Sequence, residues 1–251
     1  MRIEAIYISP VKSLALQSAD RATLGKHGIY EDRRFFLVSD KARLVTQREV
    51  ATLTQVRASY TREPELLRIV FPDGAVAEGV PAGGEPITTR FFGVRDVEGS
   101  AVEGPWAAAL SAFAGMPLRL VRAAKSAFDG FPVSIVSSAS VEALRTHSGE
   151  RSIDERRFRP NFYISGCEAH GEDAWVGSSV RLGATAVVRV AMPDPRCAII
   201  THDPDTGTRD LSTLKMIAAY RPLESKEVNF GVYASVEHEG EIAVGDEVTP
   251  Q

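Results

Sequence analysis

The chain carries two cysteines, and one of them, Cys197, stands in a setting that suits a ligand. It ends the stretch Asp194-Pro195-Arg196-Cys197 and precedes the apolar run Ala198-Ile199-Ile200-Thr201. Three other stretches are too polar for the apolar strands beside them. Ser9-Pro10-Val11-Lys12-Ser13 closes the first apolar run with a cation and a hydroxyl. Asp32-Arg33-Arg34 stands directly before Phe35-Phe36-Leu37-Val38. Arg156-Arg157-Phe158-Arg159 leads into Pro160-Asn161, where proline forces an extended entry. If Lys12, Arg33, Arg159 and Arg196 converge, they form an anion pocket with one sulfur ligand. Arginine grips a phosphate through two parallel bonds and lysine serves as a point charge. A cationic field favours the thiolate, the form that binds soft metals. Taken singly, each residue also has a plain reading. Cations at strand ends are commonly solvated, and a lone cysteine is commonly a small core residue.

The other chemistries are easier to exclude. The chain has 251 residues and a net charge of −4, so it offers no general attraction to phosphate backbones and nucleic acid is not an expected partner. Two cysteines make no disulfide framework and suit a reducing compartment. Glu4 and Lys12 interrupt the N-terminal run, which is therefore no signal peptide. No apolar run approaches the ~20 residues of a membrane span. A cytoplasmic protein without a membrane span is expected. The phosphate loop, the G-x-G-x-x-G fingerprint, H-E-x-x-H and C-x-x-C are absent from the sequence. Asp203-Pro204-Asp205-Thr206-Gly207 has aspartates at calcium-loop spacing, but Leu214 stands where the twelfth-position glutamate is needed. It reads as a turn. A Cys197–His202 pair on a strand would be split by about 17 Å. Cys167 and Trp175 read as structural and packing residues.

The elements that must position these residues are mostly short strands. Arg2–Ile8, Arg34–Ser39, Ala42–Thr46, Leu66–Phe71 and Ile87–Phe92 are rich in β-branched and aromatic residues and cut by turn residues. Asp73-Gly74 signals a hairpin, and Gly79–Pro86 reads as a loop. A helix is expected after Pro105, with Trp106, Ala109, Leu110 and Phe113 on one face and Gly115 as its stop. A second helix is expected with Ser138 as N-cap and Gly149 as stop. A third is expected with Asp210 as N-cap, Leu211, Leu214 and Ala218 on one face, and Arg221 at its cationic end. The second half supplies further strands, including Cys197–Thr201. The fold class is mainly β with a few helices. Its expected units are a β-rich, barrel-like domain over residues 1–103, whose first strand, Lys12 and Ser13 reach the shared cleft, and a barrel-like β domain with peripheral helices over 104–251.

Five motifs in order resemble the MOSC family, the molybdenum-cofactor sulfurase C-terminal domain, with its N-terminal β-barrel partner domain. They are YISPVKS, GIYEDRRFFLV, FRPNFYISG with EDAW, RC with DPDTGTRD, and NFGVYASVEHEGEIAVGDEV. The layout is similar to that of amidoxime-reducing-component-type members. The resemblance implies that Cys197 binds molybdenum and that Lys12, Ser13, Arg33, Arg159 and Arg196 hold the molybdenum cofactor (molybdopterin). Asn161 and the Phe128–Pro132 segment shape the pocket. The resemblance also implies pyridoxal phosphate binding. Asp194 and Pro195 stand where many members have a cysteine and a serine. The implied activity is reduction of a small N-hydroxylated or N-oxide substrate. No iron–sulfur cluster is expected in this chain, so electrons would come from a separate electron-transfer protein or reductase. A cofactor carrier, or a sulfur carrier with a persulfide on Cys197, is the alternative.

Overall fold

The computed structural model describes residues 1–221 and 227–251. The mainly-β class holds: the described elements are strands in four sheets, three α-helices and short 3₁₀ turns. The largest sheet has eight strands. Their order is Val248–Pro250, Ser179–Leu182, Ala186–Pro195, Asn229–His238, Val133–Ser137, Phe162–Ser165, Arg2–Ile8 and Gln17–Ala19. A five-stranded sheet runs Ala82–Phe91, Arg95–Glu103, Arg119–Ala123, Phe35–Val38 and Leu44–Val45. Two three-stranded sheets complete it. One joins Gly240–Ala243 to Arg21–Gly25 and Gly28–Ile29; the other joins Arg57–Arg62, Glu65–Val70 and Val76–Gly79.

The first and second halves of the chain interleave. Arg2–Ile8 pairs with Phe162–Ser165, and Arg21–Gly25 with Gly240–Ala243. Within the first half, Arg119–Ala123 pairs with Phe35–Val38. Phe35–Val38 and Val133–Ser137 are buried at every position, which suits the continuous apolar composition of the first; the second also buries Ser134 and Ser137. Val133–Ser137 and Phe162–Ser165 run parallel, a pairing that needs a crossover, and the helix Ser138–Ser148 lies in that crossover. One core cluster lies under the eight-stranded sheet, around Ile6, Ile135, Phe162, Val188 and Val232. A second gathers Val11, Phe35, Leu53, Leu67, Trp106 and Leu120. No helix among the described residues is long and apolar enough to cross a membrane.

The Asp73-Gly74 hairpin forms, with Gly74 at φ 86 and Asp73 Oδ1 accepting from Ala75 N at 2.9 Å. Four local expectations need correction. Residues 82–86 are not loop but the start of the strand Ala82–Phe91. Its position at the sheet edge and a bulge between Gly83 and Pro86 accommodate the proline. Cys197–Thr201 is not a strand: Ala198–Thr201 forms a 3₁₀ turn that buries Ile200 in a third core cluster, so packing overrides β propensity. The second helix is capped by Ser137, whose side chain accepts from Ser140 N, rather than by Ser138. The third begins after Ser212, because Asp210 is already bound to Arg157 at 2.6 and 2.8 Å.

Candidate functional site

Asp32 is the hub from which the site is built. It is 3% exposed. One carboxylate oxygen accepts from Ser9 N at 2.7 Å; the other accepts from Asn161 Nδ2 at 3.0 Å and pairs with Arg33. Asn161 in turn ties the two parallel strands, its Oδ1 accepting from Ser134 N at 3.1 Å. The turn before Phe35–Val38 is thereby locked to the entrance of Phe162–Ser165. Asn161 acts here through a buried hydrogen-bond network.

Three of the expected site residues have left-handed backbones: Ser13 at φ 73, Arg33 at φ 48 and Arg159 at φ 49, so Arg159 is not the extended residue expected ahead of Pro160. Residues other than glycine seldom adopt that region, and such strain gathers where the surroundings over-determine a conformation. The surroundings are visible. Arg33 N donates to Ser9 O at 2.8 Å, and Arg33 Nη2 to Arg159 O at 3.3 Å. Arg159 Nη2 donates to Leu14 O at 2.8 Å, and its Nη1 reaches Gln47 Oε1 at 3.4 Å. Lys12 N donates to Phe35 O at 2.8 Å, while Lys12 Nζ pairs with Asp129. Lys12, Arg33, Arg159 and Asn161 thus belong to one network, and Ser13 sits inside it.

Cations outweigh anions there. Burial lowers the Lys12 pKa against the pull of Asp129, and Arg33 and Arg159 lower it further. Burial and the Arg33 charge bring Arg159 down to about 10. Asp129 lies among charged groups yet keeps 41% of its side chain open to solvent. Burial works to raise its pKa, but the charges of Lys12 and Arg33 and the hydrogen bond from Lys12 outweigh it and hold the carboxyl below its ordinary value.

The neighbour of Cys197, Arg196, bonds close to this wall. Arg196 Nη1 donates to Phe158 O at 2.7 Å, one residue from Arg159. Its Nε and Nη2 donate to Phe230 O at 2.7 and 2.5 Å, and it lies 2.8 Å from Asp194 Oδ2. Gly231 permits this approach. It has φ 74, and a Cβ there would meet Ile135 O at 2.5 Å and Arg196 Nη2 at 3.3 Å. Arg196 therefore clamps backbone carbonyls beside Cys197. Burial pushes the Asp194 carboxyl up to about 7, against Arg196 and the Tyr233 hydroxyl. Cys197 is half-buried at the start of the 3₁₀ turn. Among the described residues, its thiol and the Ser13 hydroxyl take part in no hydrogen bond or ion pair, and no bond joins Cys197 to His202.

Two concavities share little with the cluster. A crevice of about 10 Å³, room for roughly one water, is lined by Gln47, Arg159, Ile199 and His202 among others. A larger one, about 550 Å³, lies on the five-stranded sheet beside Arg34, Ile87, Glu98 and Arg122 and contains none of the expected site residues. Neither hollow is lined by Lys12 or Cys197. Asp32, Asp129 and Tyr233 were not singled out from the sequence as site residues. The only signals were the aspartate ahead of two arginines and the Phe128–Pro132 segment.

Family models decide the affiliation. The MOSC domain model matches residues 123–249 and the MOSC N-terminal beta barrel domain model matches residues 1–102. The chain belongs to the MOSC family. Among MOSC relatives, it is 30% identical to mitochondrial amidoxime-reducing component 1 of Xenopus laevis, over 98% of this chain and 81% of that protein. It is 28% identical to mitochondrial amidoxime reducing component 2 of Homo sapiens, over 98% of this chain and 82% of that protein. The solved structure of the YUAD protein from Bacillus subtilis aligns with 98% of this MOSC chain and 93% of its own, at a TM-score of 0.47 and 15% identity.

Proposed function

We propose that this MOSC protein is a molybdenum-cofactor-dependent reductase of small N-hydroxylated or N-oxide compounds, driven by a separate electron-transfer protein or reductase. The observation that carries the proposal is an uncommitted thiol next to Arg196, which bonds the Phe158 carbonyl close to a strained, cation-rich wall. The names of the relatives support the substrate class.

The residues fit the cofactor. Lys12, Arg33 and Arg159 outnumber Asp32 and Asp129, as an anionic group requires. The Ser13 hydroxyl and the Cys197 thiol are uncommitted. Among the described residues no cluster of three or more His, Cys, Asp or Glu side chains is placed to hold a bare metal ion. A metal on Cys197 would therefore need further ligands from its cofactor. In this reading Cys197 is the thiolate ligand, Lys12, Arg33 and Arg159 hold the anionic tail, and Ser13 contributes its hydroxyl. Asp32 and Asn161 orient Arg33, and Arg196 fixes the backbone that presents Cys197. When bound, the cofactor supplies two-electron redox chemistry at molybdenum.

The overall reaction cleaves the substrate N–O bond. Two electrons from the external donor and two protons convert an amidoxime to an amidine and water. The chain's own contribution is positioning and electrostatics. Asp129, paired with Lys12 and open to solvent, joins the cationic wall to bulk water.

The test is elemental analysis for molybdenum after expression in a cofactor-making host, followed by turnover of benzamidoxime with a reduced donor. Stoichiometric metal in the parent, its loss in Cys197→Ser, and turnover are expected. Metal retained by Cys197→Ser would overturn the ligand assignment. Stoichiometric metal without turnover under any donor would assign the carrier role instead.

A further inference from the structure

The five-stranded sheet leaves part of one face uncovered. Along Ala82–Phe91, Ile87, Thr89 and Phe91 are buried, so Pro86 and Thr88 stand on the opposite face, as alternation along a strand requires. The register carries that face across the sheet. Pro86 lies opposite Ser100, Ser100 opposite Arg122, and Thr88 opposite Glu98. Arg122 lies opposite Phe35, whose ring fills a core cluster. The face is therefore apolar and covered at Phe35 and polar beyond Arg122. A hollow of about 550 Å³ opens there, with Arg34, Thr88, Glu98, Ser100 and Arg122 in its lining. Small-molecule sites occupy roughly 300–1,000 Å³.

Positive charge at this hollow is under-matched. Arg122 pairs with Glu65 at 2.6 Å and donates to Pro81 O at 2.9 Å, yet its Nε is buried with no hydrogen-bond partner. Arg34 is half-buried and donates from Nη1 to Lys125 O. Among the described residues neither Arg34 nor Arg62, which stacks on the Tyr30 ring at 4.4 Å, has an ion pair. Burial lowers the Arg34 pKa, and the charges of Arg122 and Arg62 lower it further against Tyr60 and Glu31. The Glu98 carboxylate has no ion pair among the described residues, and the Thr88 and Ser100 hydroxyls make no hydrogen bond there. Two guanidinium groups with spare donors therefore stand beside three uncommitted polar side chains in one concavity.

We propose that this hollow is a second ligand site, separate from the cluster around Asp32, and that it binds a small hydroxylated oxyanion, a carboxylate or a phosphate ester. Arg34 and Arg122 hold the oxyanion through charge-assisted bonds. Thr88 and Ser100 donate to or accept from the ligand's hydroxyls, and Glu98 accepts from them. Glu98 also repels a ligand that is anionic along its whole length, which favours one charged end and a neutral polar body. The two arginines that follow Asp32 thus serve different places. Arg33 pairs with Asp32 in the buried network, whereas Arg34 turns to Lys125 O and the hollow. The proposal stands apart from the reductase reading.

The experiment titrates glycerol 3-phosphate and glycerate into the parent protein, Arg34→Gln, Thr88→Val and Arg159→Gly by calorimetry, with thermal melts of each. At least one probe should bind the parent one-to-one, and the tighter of the two identifies the oxyanion as phosphate or carboxylate. Arg34→Gln should weaken that binding about tenfold or more, the size of one charge-assisted contact. Thr88→Val should weaken it severalfold. Thr88 is exposed, so this variant keeps the test open if Arg34→Gln fails to fold. Arg159→Gly, which alters the cluster around Asp32, should leave the affinity unchanged. Binding that survives both Arg34→Gln and Thr88→Val would overturn the proposal. So would binding lost in Arg159→Gly and kept in Arg34→Gln, which would place the anion on the Lys12–Arg33–Arg159 wall. Failure of both probes to bind the parent at millimolar concentration would reduce the hollow to a solvated sheet face.

Discussion

Arg33 donates from Nη2 to the backbone carbonyl of Arg159 at 3.3 Å, and both residues hold left-handed backbones near φ 48. Two strained arginines from distant parts of the chain brace each other. Each then has a separable backbone and side-chain role, which sets up the first prediction.

Arg159→Gly removes the guanidinium but suits the left-handed backbone. Its fold should persist while cofactor retention falls. The loss of one charge-assisted contact is on the order of 1.5–3 kcal/mol, about tenfold or more in affinity. Arg33→Ala should weaken retention by a similar amount. Molybdenum content after dialysis, compared with the parent, reads both. Full retention in both variants would remove the anion-wall argument.

Asp32 tests the hub. Asp32→Ala strips a buried carboxylate from Ser9 N, Asn161 Nδ2 and the Arg33 guanidinium together. It leaves a cation with 13% side-chain exposure without its partner. Breaking such a pair costs about 3–5 kcal/mol, a fall in melting temperature on the order of 10 °C for a chain of this size. Asp32→Asn keeps acceptor capacity and should cost visibly less. Equal, small effects of the two variants in thermal melts would contradict the hub assignment.

Much of this was legible in the sequence where local pattern decides the outcome. The run Arg34–Ser39 announced an apolar strand, and Asp73-Gly74 announced its hairpin, because both depend on neighbours along the chain. The four polar stretches were legible too, since a cation beside an apolar strand is conspicuous. Asp32 was hidden for the opposite reason: a carboxylate next to two arginines looks like a solvated local pair. Its real partners, Ser9 and Asn161, arrive through strand pairing at long range. The interleaving of the two halves is equally non-local. Arg196 was visible as a cation, but nothing in its neighbours revealed that it would grip the carbonyls of Phe158 and Phe230. The run after Cys197 misled because β-branched residues suit a strand, while here Ile200 fills a core cluster from a 3₁₀ turn.

Asp194 yields a pH-dependent prediction. Its carboxyl is 1% exposed, and burial raises its pKa from 3.8 to about 7 despite Arg196 at 2.8 Å and the Tyr233 hydroxyl. Asp129 also raises it and Arg33 opposes that. Between pH 4 and 7 the folded protein keeps a proton that the unfolded chain releases, so folding stability from this group is fully present below pH 4 and lost as pH rises through 7. Asp194→Asn removes the titration while keeping the side chain's size, and the Arg196 guanidinium retains its bonds to Phe158 O and Phe230 O. The variant's gain in melting temperature over the parent should therefore be small at pH 4.5 and larger at pH 8. The difference between the two pH values should correspond to a few kcal/mol, because each tenfold change in proton affinity is worth about 1.4 kcal/mol. Melts of both proteins across that range provide the measurement. A gain that is independent of pH would show that Asp194 is ionised throughout and that the Arg196 ion pair, rather than burial, governs it.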